Sequence, residues 1–272
     1  MKKLILPVVL IISGLLYAGY IYYGYAKGQT KYRALQEEYT KPVSTEKEAS
    51  KDPVELPQQN KEEKPMSEKT VWKPLVSELP KDAPERIAVD FEALSGKNDD
   101  LVAWILIPAV DISYPVVQGD DNEYYLHRDI NRDYLFAGSI FMDTYNTPSF
   151  YNYNTIIYGH NMRDGSMFAR LKDFTDKQTY EKCRYFWVMT PDGDYLYEIC
   201  SVHPASSGSE TYTVRFENYE HYRKWQDEML SLSVVATGVR LEYQDRIVTL
   251  STCTENSSIR MTVQGKLVWK TS

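Results

Sequence analysis

The sequence has little cysteine and no surplus of basic residues. Three cysteines in 272 residues, Cys183, Cys200 and Cys253, are too few for a disulfide scaffold, and their odd number leaves at least one thiol unpaired. Lys and Arg number 31 against 38 Asp and Glu, a formal charge of −7. That balance excludes a general nucleic-acid binder, which needs excess cations to neutralise phosphates, and leaves room only for a local basic cleft. There is no glycine-rich phosphate loop, no HExxH and no CxxC pair. No paired His or Cys spacing and no dense carboxylate loop suits a metal, so neither cofactor nor metal is expected. Internal repeats and sustained β–α–β alternation are also missing. Hydrophobic residues make up 43% of the chain, which excludes disorder throughout, and the length fits one sizeable domain with extra segments or two small domains.

What the chain does have is one long apolar run. Residues 4–23, LILPVVLIISGLLYAGYIYY, are 20 uncharged residues, enough as a helix for the roughly 30 Å hydrocarbon core of a bilayer. Pro7 falls in the first turn, where a missing N–H costs little, and Tyr17, Tyr20, Tyr22, Tyr23 and Tyr25 form an aromatic belt at the far end. A cleaved signal peptide is the rival reading, but its apolar region is normally shorter. Lys2 and Lys3 before the run and Lys27, Lys31 and Arg33 after it leave the orientation open. Residues 1–3 form a stub, 4–23 the anchor and 24–82 a polar spacer. The spacer is densest in Glu, Lys, Pro and Ser from about Gln36 to Thr70, with too little apolar surface to offset its ordering entropy. A polar helix continuing the span as far as Tyr39 is the alternative for its first turns.

Residues 83–272 read as the folded domain. A short amphipathic helix is predicted from an N-cap at Asp82 to Gly96, with Ile87, Val89, Phe91 and Leu94 apolar. Short β-type runs follow at 102–107, 114–117, 138–143, 155–159, 185–189, 195–202, 246–253 and 261–270, separated by turn signals such as Pro191-Asp192-Gly193. Many short strands with turns between them predict a closed or nearly closed β-barrel. Helices are predicted at about 165–173 and 217–232. In the second, Tyr219, Tyr222, Trp225, Met229 and Leu232 fall at spacings of three and four, a stripe read as core packing.

The unpaired thiol carries the chemistry. Cys253 ends the run RIVTLSTC, so it stands at a strand lip that substrate can reach, and Arg260 opens the next strand. Cys183 and Cys200 read as idle small hydrophobes, and spacing alone leaves a bridge between them open. A nucleophilic thiol needs a base that later protonates the leaving group. His160, in TIIYGHNM, ends a strand beside a glycine. His127 reads as packed near the site, His203 and His221 as structural or solvated.

The motifs TLSTC (249–253) with Arg260, and YGHN (158–161), resemble those of sortases, the membrane-tethered cysteine transpeptidases of Gram-positive bacteria. The likeness covers about 83–272 and extends to AGSIFMD, YPVVQGDDNEYYLHRD and the long helix, which look like class B sortases. It implies a mainly β fold with flanking helices: an eight-stranded sortase-type barrel, an N-terminal helix, a long helix between strands six and seven, and a separate transmembrane helix. It also implies a single-pass membrane protein with a cytoplasmic N-terminus and an extracellular catalytic domain.

By the same resemblance Cys253 is the nucleophile, His160 the general acid and base, and Arg260 the cation at the acyl group. Thr249, Leu250, Ser251, Thr252 and Thr254 line the substrate groove, Thr254 with its backbone N–H at the oxyanion, and Glu255 orients His160 or Arg260 or is solvated. The Cys-to-Arg loop varies in length within the family, which bears on the groove's shape. The implied partners are secreted proteins with a C-terminal sorting motif, NPxTx-like in class B, and a peptidoglycan amine. Pilus-subunit polymerisation, simple hydrolysis, or an idle tethered binding or scaffold domain are the rival readings.

Overall fold

The computed structural model describes residues 2–43, 78–253 and 258–271. The apolar run lies in a single helix, α1 (Lys2–Tyr39), followed by a short strand β1 (Thr40–Pro42), which pairs antiparallel with β2 (Ile87–Val89). After β2 comes α2 (Phe91–Ser95), capped by the Asp90 side chain, which accepts from Ala93 N. The helix predicted from Asp82 is therefore only its last turn. Ile87 and Val89 are β-branched and alternate, which suits a strand, and Asp90 satisfies the first free helical N–H groups.

Eight strands form the body: β3 (Leu101–Ile107), β4 (Ile112–Val117), β5 (Ile140–Met142), β6 (Asn154–Gly159), β7 (Tyr185–Thr190), β8 (Gly193–Ser206), β9 (Ile247–Cys253) and β10 (Ile259–Lys270). They close into a barrel in the order β10-β8-β7-β3-β4-β5-β6-β9. The pairs β4–β5 and β6–β9 are parallel and the others antiparallel. Each strand matches one of the eight β-type runs. Trp104, Phe186, Trp187, Leu196 and Val263 are fully buried in the core, and closure leaves none of these strands as an open edge.

Between β6 and β7, helical structure falls later than predicted, as 3-10 turns at Ala169–Thr175 and α3 (Lys177–Lys182), which starts where Asp176 accepts from Gln178 N. The long helix α4 (Tyr219–Leu232) sits between the sixth and seventh barrel strands. Its Tyr222, Trp225 and Met229 pack with Cys200, Leu241 and Ile247 in a second cluster, while Leu232 at its end is 43% exposed. Cys183 and Cys200 are free thiols.

Residues 24–39 continue α1, which is the alternative of a polar helix running on to Tyr39 and not an extended spacer, and residues 40–42 form β1. What the sequence reading did not anticipate is that this half of the helix lies on the barrel. Tyr32, Leu35 and Tyr39 are buried, a stripe at spacings of three and four inside a charged stretch. Tyr32 Oη donates to Gly138 O at 2.5 Å, and its ring meets Tyr114 edge-on at 5.2 Å. Lys31 pairs with Asp129, whose side chain is 2% exposed and also accepts from the N–H groups of Asn131 and Asp133.

Removing Lys31 strands a buried carboxylate, which is costly. Lys31→Ala should lower unfolding stability by about 2 kcal/mol, less than a fully buried pair would lose because Asp129 keeps its backbone donors. Asp133→Ala, at an exposed ion-pair partner 3.8 Å from Lys31, should change it by less than about 0.5 kcal/mol. Denaturant unfolding of the detergent-solubilised chain measures both, and equal effects would contradict the assignment.

Candidate active site

Barrel closure assembles the site. In the parallel β6–β9 pair, Gly159 is opposite Thr252, so the next residue along each strand brings His160 beside Cys253. In the antiparallel β9–β10 pair, Arg260 is directly opposite Cys253. His160, far from the other two in sequence, thus shares one lip of the barrel with Cys253 and Arg260. The Cys253 side chain, Thr254 and Glu255 lie outside the described residues. Glycine is required before His160, because a Cβ at position 159 would lie 2.5 Å from Ile140 Cδ1 and 2.7 Å from Phe168 Cγ.

His160 is held by backbone. Its Nε2 is 2.6 Å from Leu126 O, and since a carbonyl only accepts, Nε2 carries the proton and Nδ1 keeps the basic lone pair. The ring stacks on His127 with centroids 5.4 Å apart, and His127 in turn faces Tyr134 at 6.3 Å. Burial, partly offset by the Leu126 contact, holds the His160 pKa below its usual value, so the imidazole is a neutral base at neutral pH. The Leu126 carbonyl is itself fixed from behind: Gly138 has φ +57°, and a Cβ there would come within 2.2 Å of Leu126 O.

Arg260 lies over two aromatic faces, its Cζ 5.5 Å from the Tyr158 ring centroid and 5.8 Å from that of Tyr212. The two rings stack at 6.3 Å. Both are anchored by their hydroxyls, Tyr158 donating to Asp143 Oδ2 at 3.0 Å and Tyr212 sharing a 2.9 Å hydrogen bond with Ser251 Oγ. The rings attract the guanidinium and fix its plane without neutralising it.

His160 and Arg260 line a cleft of about 260 Å³ together with Ser251, Thr252, Asn122 and Leu126. Of the residues expected in the groove, Ser251 and Thr252 therefore border it. Thr249 and Leu250 are fully buried away from it. Thr249 Oγ1 donates to Asn154 Oδ1 at 2.7 Å and accepts from Gln264 Nε2 at 3.0 Å.

Sequence reasoning missed Leu126, which acts through its backbone and so leaves no side-chain signal. It also missed Tyr212, whose role appears only when its loop folds over β9. Tyr158 stood inside the YGHN motif but was not singled out.

His203 is structural. It is fully buried, with Nδ1 2.9 Å from Ser201 Oγ and Nε2 3.1 Å from Thr211 Oγ1. His221 is half-buried against Phe216, and its N–H meets the Asn218 N-cap side chain of α4.

The sortase domain family matches residues 105–268, and the chain belongs to that family of cysteine transpeptidases. Its likenesses place it in class B. It is 38% identical to sortase B of Listeria monocytogenes over 64% of this chain and 72% of that one. It resembles the Staphylococcus aureus sortase B–substrate complex with a TM-score of 0.64 and 35% identity, covering 67% of this chain and 85% of the other. The structure of sortase B from B. anthracis in complex with AAEK1 matches with a TM-score of 0.68 and 28% identity, covering 91% of this chain and 99% of that one.

The environment of His203 sets a pH dependence. Burial lowers its pKa to about 4 in the folded state, whereas an unfolded histidine protonates near pH 6.5. Between these values the unfolded chain binds more protons, so stability is full above about pH 6.5 and falls as the pH drops towards 4, by about 3 kcal/mol in all. Urea unfolding of His203→Gln should show a shallower decline over that window than the parent chain, and parallel curves would contradict this.

Proposed function

We propose that this sortase cuts a C-terminal sorting peptide of NPxTx type after its Thr through Cys253, His160 and Arg260, and transfers the acyl group to a peptidoglycan amine. The observation that carries this reading is the register that sets His160 and Arg260 on either side of Cys253 at one cleft. The Cys253 thiol gives its proton to His160, and the sulfur attacks the Thr carbonyl carbon. The oxyanion that forms is held by Arg260 and the Thr254 backbone N–H. As the C–N bond breaks, the imidazolium protonates the leaving amine, and a thioester to Cys253 remains. An incoming amine attacks that carbonyl and passes its proton to His160. Expulsion of the thiolate forms the new amide and restores the enzyme. Water in place of the amine gives hydrolysis instead.

The cleft narrows the roles. Ser251, Thr252, Asn122 and Leu126 offer hydroxyl, amide and apolar surface for an extended peptide. Residues 4–23 anchor the chain in the membrane with residues 1–3 cytoplasmic and the domain outside, where it joins surface proteins to the cell wall. Among the described residues one helix is long and apolar enough for such a span.

The test uses the detergent-solubilised full chain with fluorescent NPxTx and LPxTG peptides, with and without an amine. Cys253→Ala and His160→Ala should give no ligated product. Arg260→Lys should lower kcat about 100-fold with KM little changed, because the loss falls on the transition state. Cleavage that survives Cys253→Ala would overturn the nucleophile, and full activity in Arg260→Lys would overturn the oxyanion role.

A further inference from the structure

The folded domain begins where the apolar run ends. A Cβ at Gly24 would lie 3.8 Å from Phe136 Cβ, and the Tyr25 ring meets the Phe136 ring edge-on at 5.7 Å. Gly28 faces Ala137, with 3.3 Å left for a Cβ, and Gln29 Nε2 donates to Asp164 Oδ2 at 3.0 Å. A helix rises about 1.5 Å per residue, so Phe136 is clamped within about 3 Å of the end of the run at Tyr23, and the Asp164 contact stands about 9 Å beyond it. The headgroup layer of one leaflet is roughly 5–7 Å deep. Phe136 therefore falls inside that layer and the Asp164 loop just outside it.

The side chains suit that depth. Tyr134 is 64% exposed and Phe136 39% exposed, two aromatics four and two residues before Gly138, with Lys27 exposed about one helical turn past the run. A tyrosine ring with its polar tip suits a membrane interface, an apolar phenylalanine ring can dip into it, and cations there meet lipid phosphates. Arg132 is taken up by Asp99 and Asp100. The Lys31–Asp129 pair and the Tyr32–Gly138 hydrogen bond fix the loop to α1, so its height follows the helix.

We propose that segment 134–137 is a membrane-contact loop, with Phe136 in the headgroup layer of the bilayer spanned by residues 4–23 and the exposed Tyr134 ring at the outer face of that layer, residues 131–133 being held further out by Lys31, Asp99 and Asp100. This rests on the anchor reading above. The domain then rests on the lipid surface and is not held a spacer's length above it. His127 stands between Tyr134 and His160, so the cleft opens two ring contacts from the lipid. A substrate tethered to the same bilayer reaches it without a long arm.

Site-directed spin labelling of the full chain in phosphatidylcholine–phosphatidylglycerol nanodiscs tests this, in a Cys253→Ala, Cys183→Ser background with buried Cys200 left in place. Labels go singly at Leu15→Cys, Tyr134→Cys, Phe136→Cys and Lys41→Cys. Lys41 follows the end of α1 and lies more than about 24 Å beyond the run along the helix. Collision with a water-soluble nickel chelate should be at least 3-fold lower at 134 and 136 than at 41, and lowest at 15. Aqueous values at 134 and 136 with a protected label at 15 would overturn the contact loop and leave the anchor standing. An aqueous label at 15 would overturn the anchor reading, and the contact loop with it.

Discussion

The site depends on the register of three strands, and a buried polar cluster fixes that register. Asn154 on β6, Thr249 on β9 and Gln264 on β10 are all buried and joined through Thr249 Oγ1. Asn154 also donates to the carbonyls of Thr211 and Thr213. A slip of one residue would turn each side chain to the other face and leave these groups unpaired, at about 1–3 kcal/mol each. The parallel β6–β9 pairing that closes the barrel is thereby held where His160 meets Cys253, and β10 where Arg260 faces it. Thr249 belongs to the machinery as a register pin and not as a groove residue.

A second line of support runs from α1. Tyr32 holds the Gly138 carbonyl, the left-handed Gly138 lies against Leu126 O, and Leu126 O accepts a hydrogen bond from His160 Nε2–H. Residues 24–43 are thus continuous with the support of His160. A domain cut at residue 83 would lose Tyr32 and Lys31, and with them the clamp on this loop.

Much of the barrel was legible in the sequence because most strands are short apolar runs bounded by turn residues, β8 and β10 being the long exceptions. The stripe Tyr222, Trp225 and Met229 likewise announced α4. The docked half of α1 was hidden because Tyr32, Leu35 and Tyr39 are diluted by Lys, Arg, Gln and Glu, and composition averages them away. Strands β1 and β2, at three residues each, are too short for alternation to identify, and the spacing of Ile87 and Val89 with Phe91 and Leu94 reads as helical instead. The motifs marked Cys253, His160 and Arg260. The two rings that hold Arg260 come from residues 54 apart in the chain, and only folding joins them.

On the proposed mechanism one lip of this barrel makes Cys253 the acyl carrier. Intact-mass and peptide mass spectrometry of the full chain, quenched during turnover of a sorting peptide, tests it most directly. A thioester adduct that maps to Cys253 and disappears on addition of an amine, with ligated product formed in its place, is the predicted result. An adduct on another residue, or turnover that ligates the amine with no adduct on Cys253 at any time, would contradict it.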